Sequence, residues 1–187
     1  FVDDSILPQL AANGGDLGEV RERLFAYAKF AEQAGADVIL NACSSVGELV
    51  AGMRGQVRIP VVRIDEAMAE RAVSLGTKIG VAATLQTTLN PTMNLLQAKA
   101  QEAGKTVKLI PLLAEEAYKK LIAGDKEGHD ATLAEALERL LAEADFVVLA
   151  QASMARVIGR LPEPVRERVL TSPELGMERV REVLAGV

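Results

Sequence analysis

The sequence contains one cysteine, one histidine and no tryptophan, and aromatic residues make up only 3% of its 187 positions. A lone cysteine excludes an intrachain disulfide, so nothing here reads as a stapled secreted scaffold. No charged-then-apolar leader and no long uncharged apolar run is present, so secretion and membrane insertion lack support and the cytosol is the expected compartment. A single histidine with no second histidine or cysteine beside it does not support a zinc site. Glycine patterns that cradle nucleotide phosphates are also absent: no G-x-G-x-x-G follows a strand and there is no Walker A sequence, which argues against nicotinamide and ATP cofactors. With so few aromatics, stacking platforms for bases or sugars are not expected. The formal charge of −5 arises from intermixed acidic and basic residues, not from the clustered basic face that a nucleic-acid backbone requires. The partner implied is a small molecule.

What is present is a hydrophobic content of 49%, enough to bury a real core. Short apolar runs at 38–40, 61–64, 79–83, 107–112 and 146–149 read as buried parallel strands. Longer amphipathic stretches at 17–34, 46–54, 65–75, 90–103, 114–122, 132–144 and 174–184 read as helices, several closed by glycine at or just past the end. The alternation is that of an α/β protein.

The chain also repeats itself. A shift of 108 positions lays Ala36-Asp37 on Ala144-Asp145, Ala42 on Ala150, Ser45 on Ser153, Val61 on Val169, Glu66 on Glu174 and Glu70-Arg71 on Glu178-Arg179, without a gap. The expected architecture is two pseudo-symmetric parallel-sheet half-domains, residues 1–76 and 77–187, with the site between them. The last helix is expected to pack back on the first half. The same shift sets Phe1-Val2-Asp3 at the end of the first copy's second strand. The first copy is therefore expected to lack its initial strand and helix, roughly thirty residues by analogy with the second copy.

Cys43 follows a buried strand and opens a helix in Asn41-Ala42-Cys43-Ser44-Ser45. That is the carboxyl end of a parallel strand, where open α/β sheets bind ligands, and free N–H groups at a helix start favour a thiolate and hold a carboxylate. A small cysteine packed in the core is the alternative, and position alone leaves both open. Gln151 occupies the equivalent place in the second copy, followed by Ala152 and Ser153; it can hydrogen-bond a substrate but exchanges no proton near neutral pH. Thr84, at the end of the second half's first strand, and Thr87 are placed either to cap the next helix or to bind a carboxylate. Asp3-Asp4-Ser5 points to the same edge, with turn formation as the other explanation. His129 stands in a polar connection and reads as a surface or capping residue.

At these residues the chain resembles the aspartate/glutamate/hydantoin racemase superfamily over nearly its whole length. Asn41 to Ser45 is similar to that family's first cysteine loop, Ala83-Thr84 to its threonine-bearing turn, and Leu149 to Ala155 to its second cysteine loop; Asp3 to Ser5 and the segment from Ala117 to Asp130 are similar to recurrent family segments. The resemblance implies two pseudo-symmetric α/β halves, a cofactor-independent site between them, and paired cysteines that move a proton across the α-carbon of a carboxylate. It further implies a homo-oligomer. The chain departs from it at one position: Cys43 matches the first cysteine, but Gln151 stands where the second belongs. The arylmalonate decarboxylases also work with one cysteine, although theirs resembles the position of Gln151. The expectation is a cofactor-independent, racemase-like isomerase acting on a small carboxylic or amino acid. In it Cys43 and Gln151 are catalytic, and Asn41, Ser44, Ser45, Thr84, Thr87, Ala152, Ser153 and Asp4 bind substrate. A one-face decarboxylase or lyase, and a carboxylate-binding protein without chemistry, are the alternatives.

Overall fold

The computed structural model describes residues 1–186. In chain order the elements are α1 (Ile6–Ala12), α2 (Gly18–Gln33), β1 (Ile39–Asn41), a 3-10 segment (Ser44–Leu49), α3 (Val50–Arg54), β2 (Val61–Arg63), α4 (Glu66–Leu75) and β3 (Lys78–Ala83). There follow α5 (Gln86–Glu102), β4 (Lys108–Leu113), α6 (Glu115–Ile122), α7 (Lys126–Leu141), β5 (Phe146–Leu149), a second 3-10 segment (Ala152–Arg160), α8 (Glu163–Arg166), β6 (Val169–Thr171) and α9 (Ser172–Ala185). All strand pairs are parallel, in a two-stranded sheet β1-β2 and a four-stranded sheet β4-β3-β5-β6.

The repeat is carried in the hydrogen-bond register. Ile39 lies opposite Val61 and Asn41 opposite Arg63, while Val147 lies opposite Val169 and Leu149 opposite Thr171, every residue 108 positions on. Even the flanking bond repeats: Ile39 N–H donates to the Pro60 carbonyl and Val147 N–H to that of Arg168, both at 2.9 Å.

Apart from Lys78 and Lys108 at strand starts and Thr171 at a strand end, the strands of the larger sheet carry no polar side chain, and this follows from its position between two cores. On one face Ile79, Val81 and Ala83 join Val148, Ala150 and the α5 residues Leu89, Leu95 and Leu96. On the other, Ala82, Val147 and Leu149 pack with Leu133, Leu137, Leu140 and Leu141 of α7. A strand covered on both sides has no solvent face to carry polar residues. The third core lies over the smaller sheet, where α2 contributes Val20, Leu24 and Ala28, one stripe at helical spacing, against Val46, Val50, Met53 and Val61.

Helix α4 crosses over. Its Met68, Ala69, Ala72 and Val73, although they follow β2, are buried in the core of the four-stranded sheet. Its equivalent α9 lies against α4 and reaches β2, where Gly176 is so close to the Ile64 carbonyl that a Cβ would stand 2.6 Å from it. An ion-pair network spans this junction: Arg54 and Lys99 both hold Glu66, at 2.7 and 2.8 Å, and Arg179 holds Glu70 at 2.7 Å.

Helix α7 begins earlier than the sequence pattern suggests. Asp125 caps it by accepting from the Gly128 N–H at 2.8 Å, so the polar stretch 126–131 belongs to its first two turns and is not a connection. His129 is correspondingly not a surface residue: only 2% exposed, its Nδ1 lies 2.7 Å from Oδ1 of Asp130. Among the described residues no helix is long and apolar enough to cross a membrane.

Candidate active site

Cys43 stands one residue beyond Ala42 at the carboxyl end of β1, in extended conformation (φ −116°, ψ 110°), as the residue that caps the 3-10 segment. It is half-buried and free, and it lines a cavity of about 510 Å³. Residues 38–42 of and around β1, Leu24, Ala28 and Ala31 of α2, and Phe1 and Asp3 line the same cavity. Asn41 also lines it, and its Oδ1 is buried without a hydrogen-bond partner. Asp3, rather than the exposed Asp4, is the acidic residue at this cavity. Hydrogen bonds to Asp3 from Ser5 and from the Tyr27 hydroxyl at 2.8 Å, with the Arg23 guanidinium nearby, hold its carboxyl below the usual carboxylate range.

Ser44 and Ser45 form the first turn of the 3-10 segment and are both buried. The Ser45 hydroxyl is 3.3 Å from that of Thr88, which ties the cysteine loop to the start of α5. Ser45 and Glu48 from this loop, with Gln86, Thr87 and Asn90 from α5 and Gly14 and Gly15 from the α1–α2 turn, line a second cavity of about 340 Å³. Beneath the loop, Arg63 is 7% exposed and grips Asp65, itself fully buried, through Nε to Oδ1 at 2.6 Å and Nη2 to Oδ2 at 3.1 Å. Gly47 makes room for it, because a Cβ there would run into the guanidinium. Sequence reasoning did not single out this pair; an arginine followed two positions later by an aspartate at the end of a strand was the available signal.

Gln151 follows Ala150 at the end of β5 and occupies the place of Cys43 in extended conformation (φ −123°, ψ 131°). Its Oε1 accepts from the backbone N–H of Thr84 at 2.7 Å and from the Thr84 hydroxyl at 3.0 Å. A backbone N–H only donates, so the oxygen must face Thr84, and the amide's NH2 is the part of Gln151 able to meet a ligand. Thr84 itself is 4% exposed and committed to this bond. Ala152 and Ser153 are exposed at the start of the second 3-10 segment. The structure thus brings the Cys43 loop against the Thr87–Thr88 turn and joins Thr84 to Gln151, while neither of the two cavities that border the Cys43 loop is lined by Gln151. No group of three or more His, Cys, Asp and Glu side chains gathers to hold a metal ion among the described residues.

This geometry, with one loop from each repeat at the carboxyl ends of parallel strands, is that of an α/β protein in which one strand–loop unit occurs twice. The chain belongs to the Asp/Glu/hydantoin racemase family, whose model matches residues 2–180. It is similar in fold to a glutamate racemase from Bacillus anthracis (18% identity, TM-score 0.70), covering 91% of this chain and 66% of that one. It is similar also to an aspartate racemase homologue from Pyrococcus horikoshii (18%, 0.66; 88% and 74% covered) and to the Gly74Cys mutant of arylmalonate decarboxylase (16%, 0.55; 91% and 77%). The chain thus spans about two thirds of the length of the Bacillus enzyme. No curated protein sequence matches it.

Proposed function

We propose that the protein is a cofactor-independent, racemase-like isomerase in which the Cys43 thiolate acts at the α-carbon of a small carboxylic or amino acid. The observation that carries this reading is the half-buried, unpaired thiol of Cys43 at the carboxyl end of β1 in a member of a racemase family. In the proposed step the α-carbon's C–H bond breaks, the proton passes to the sulfur, and the electron pair moves onto the carboxylate oxygens as an enolate-like charge. Backbone N–H groups at Ser44 and Ser45, at Ala152 and Ser153, and the hydroxyl of Thr87 receive that charge, the first N–H groups of a helical turn being free of intrahelical partners. Asn41 and Asp3, which line the same cavity as Cys43, complete the polar surround in place of Asp4. Thr84 acts through Gln151, whose amide orients the carboxylate. The site belongs to the cleft between the halves 1–76 and 77–187, in a cytoplasmic homo-oligomer.

Because Gln151 supplies no exchangeable proton at neutral pH, proton return is confined to the Cys43 face. Incubating the protein in deuterated solvent with a panel of amino and hydroxy acids should therefore give α-deuteration that Cys43→Ser abolishes. Deuteration unaffected by that substitution rejects the proposal. The same one-sidedness supports a second reading, decarboxylation of a substituted malonate with protonation on one face, as a lone thiol and the fold shared with arylmalonate decarboxylase suggest. Carbon dioxide release without α-exchange of monocarboxylates would select it.

A further inference from the structure

The cavity of about 340 Å³ takes its polar lining from two helical faces. In the 3-10 segment Ser45 and Glu48 are three residues apart, and a 3-10 turn of three residues sets them on one side. On α5, Gln86, Asn90 and Asn94 recur every four residues on one face, with Thr87 beside them. Gln86 Nε2 donates to Asn90 Oδ1 at 2.6 Å, and Asn94 Nδ2 donates to Glu48 Oε1 at 2.8 Å. The apolar lining comes from Leu10, Ala11 and Leu17 around the α1–α2 turn. Glu48 is the one charged residue among those that line the cavity, and no Lys, Arg or His is among them. The repeat brings out what that charge lacks. At the place of Glu48 the second copy has Arg156, whose guanidinium is met by Asp130 at 2.8 Å; the counterpart of Asp130 in the first copy is Glu22, again an acid. Among the described residues Glu48 therefore has Asn94, a neutral amide, as its partner and no cation.

We infer that this cavity receives the side chain of the substrate, and that this side chain is an alkyl stem ending in a cationic nitrogen that pairs with Glu48. The inference rests on the reaction proposed above for the carboxylate end, because Ser45 and Thr87, set there at the substrate carboxylate, line the same cavity. An alkyl stem buries apolar surface against Leu10, Ala11 and Leu17, while its charged tip stays at the polar lining. A cationic nitrogen gives the Glu48 carboxylate a charge-assisted hydrogen bond. A second carboxylate on the substrate would instead meet a like charge with no cation to offset it, so the lining selects against dicarboxylic acids. Glu48 thereby determines specificity without touching the reacting carbon.

The test is titration calorimetry of the whole chain, which needs no turnover, with both enantiomers of ornithine, norleucine and glutamate. Norleucine matches ornithine in length with a methyl group in place of the ammonium, and glutamate carries the opposite charge. The better-bound enantiomer of ornithine should bind at least about ten-fold more tightly than either of the other two acids. Glu48→Gln keeps an acceptor for Asn94 and removes the charge; it should weaken ornithine by about five-fold and leave norleucine unchanged. Glu48→Lys should reverse the order of ornithine and glutamate. Glutamate or norleucine bound as tightly as ornithine overturns the inference, as does ornithine binding that Glu48→Gln leaves unchanged, or no ornithine binding up to about 10 mM. Failure of the reaction reads differently. Selective ornithine binding without α-deuteration upholds the cavity's preference and rejects the chemistry at Cys43, whereas Cys43-dependent deuteration of glutamate in preference to ornithine upholds the chemistry and overturns the preference.

Discussion

Thr84 gives both of its donors to a single oxygen: its backbone N–H and its hydroxyl reach Oε1 of Gln151 at 2.7 and 3.0 Å, binding the end of β3 to the end of β5. With Thr84 4% exposed, removing the acceptor strands a buried N–H and a buried hydroxyl together. Gln151→Leu should lower stability by about 1–3 kcal/mol, whereas Gln151→Glu, which keeps an acceptor, should lose less. Urea unfolding followed by circular dichroism measures both. Equal midpoints for the leucine variant and the parent would show that the bond holds nothing together.

The Cys43 loop rests on a buried ion pair. Asp65 is fully buried and Arg63 nearly so, and a carboxylate removed from beside a buried guanidinium leaves a charge without compensation. Asp65→Asn should therefore cost about 3–5 kcal/mol, the range for breaking one side of a buried pair. Gly47→Ala acts on the same contact from above, since its methyl meets the guanidinium. It should raise the alkylation rate of Cys43 by iodoacetamide as the loop loosens; an unchanged rate and an unchanged melting temperature would remove Arg63 as the loop's support.

The parallel strands were legible because burial on both faces writes itself as unbroken apolar runs, and 146–149 was read to the residue. The repeat was legible too, and it reappears residue for residue in the pairing of β1 with β2 and β5 with β6. Helix α1 went unread: its seven residues hold only two buried positions, Ile6 and Leu10, too few to show a period. The crossing of α4 into the second core was invisible for a different reason. An amphipathic helix has the same 3.6-residue period whichever sheet it covers, so the pattern names the buried face and not its partner. At the site, the backbone places of Cys43 and Gln151 followed from strand ends. The Thr84–Gln151 bond and the Arg63–Asp65 pair did not, because each joins side chains whose meeting depends on the fold.

Asp130 sets a pH dependence. It is 3% exposed, and although burial disfavours its charge, hydrogen bonds from His129 and Arg156 outweigh that and lower its pKa. A carboxyl whose pKa is lower folded than unfolded stabilises fully above the unfolded value of about 4, and the contribution disappears as pH falls through the folded value. The urea midpoint should fall as pH is lowered below about 4, and Asp130→Asn should flatten that part of the profile while weakening the protein at neutral pH by about 1–3 kcal/mol. Arg156 lies on the 3-10 segment that Gln151 opens, so the same variant should speed amide exchange across 152–160. A variant with the parent's slope assigns the acid limb to other carboxyls.

The equivalence of Cys43 and Gln151 leads to a test in which chemistry is gained. If the proposed reaction is correct, the parent should deuterate one enantiomer of a substrate without inverting it, because proton removal and return use the same sulfur. Gln151→Cys puts a thiol at the position that the 108-residue shift equates with Cys43, in the same extended backbone conformation at the end of a parallel strand. A thiol is a weaker acceptor than an amide oxygen, so Thr84 loses much of its partner and some stability goes with it, about 1–3 kcal/mol. What should appear is inversion: chiral chromatography of a reaction begun with pure L- or D-amino acid should show the opposite enantiomer with the variant and not with the parent. The double variant Cys43→Ser, Gln151→Cys should exchange only the other enantiomer. Inversion by the parent alone would show that a group other than Gln151 serves the second face, and a folded variant that exchanges without inverting would separate Gln151 from the substrate altogether.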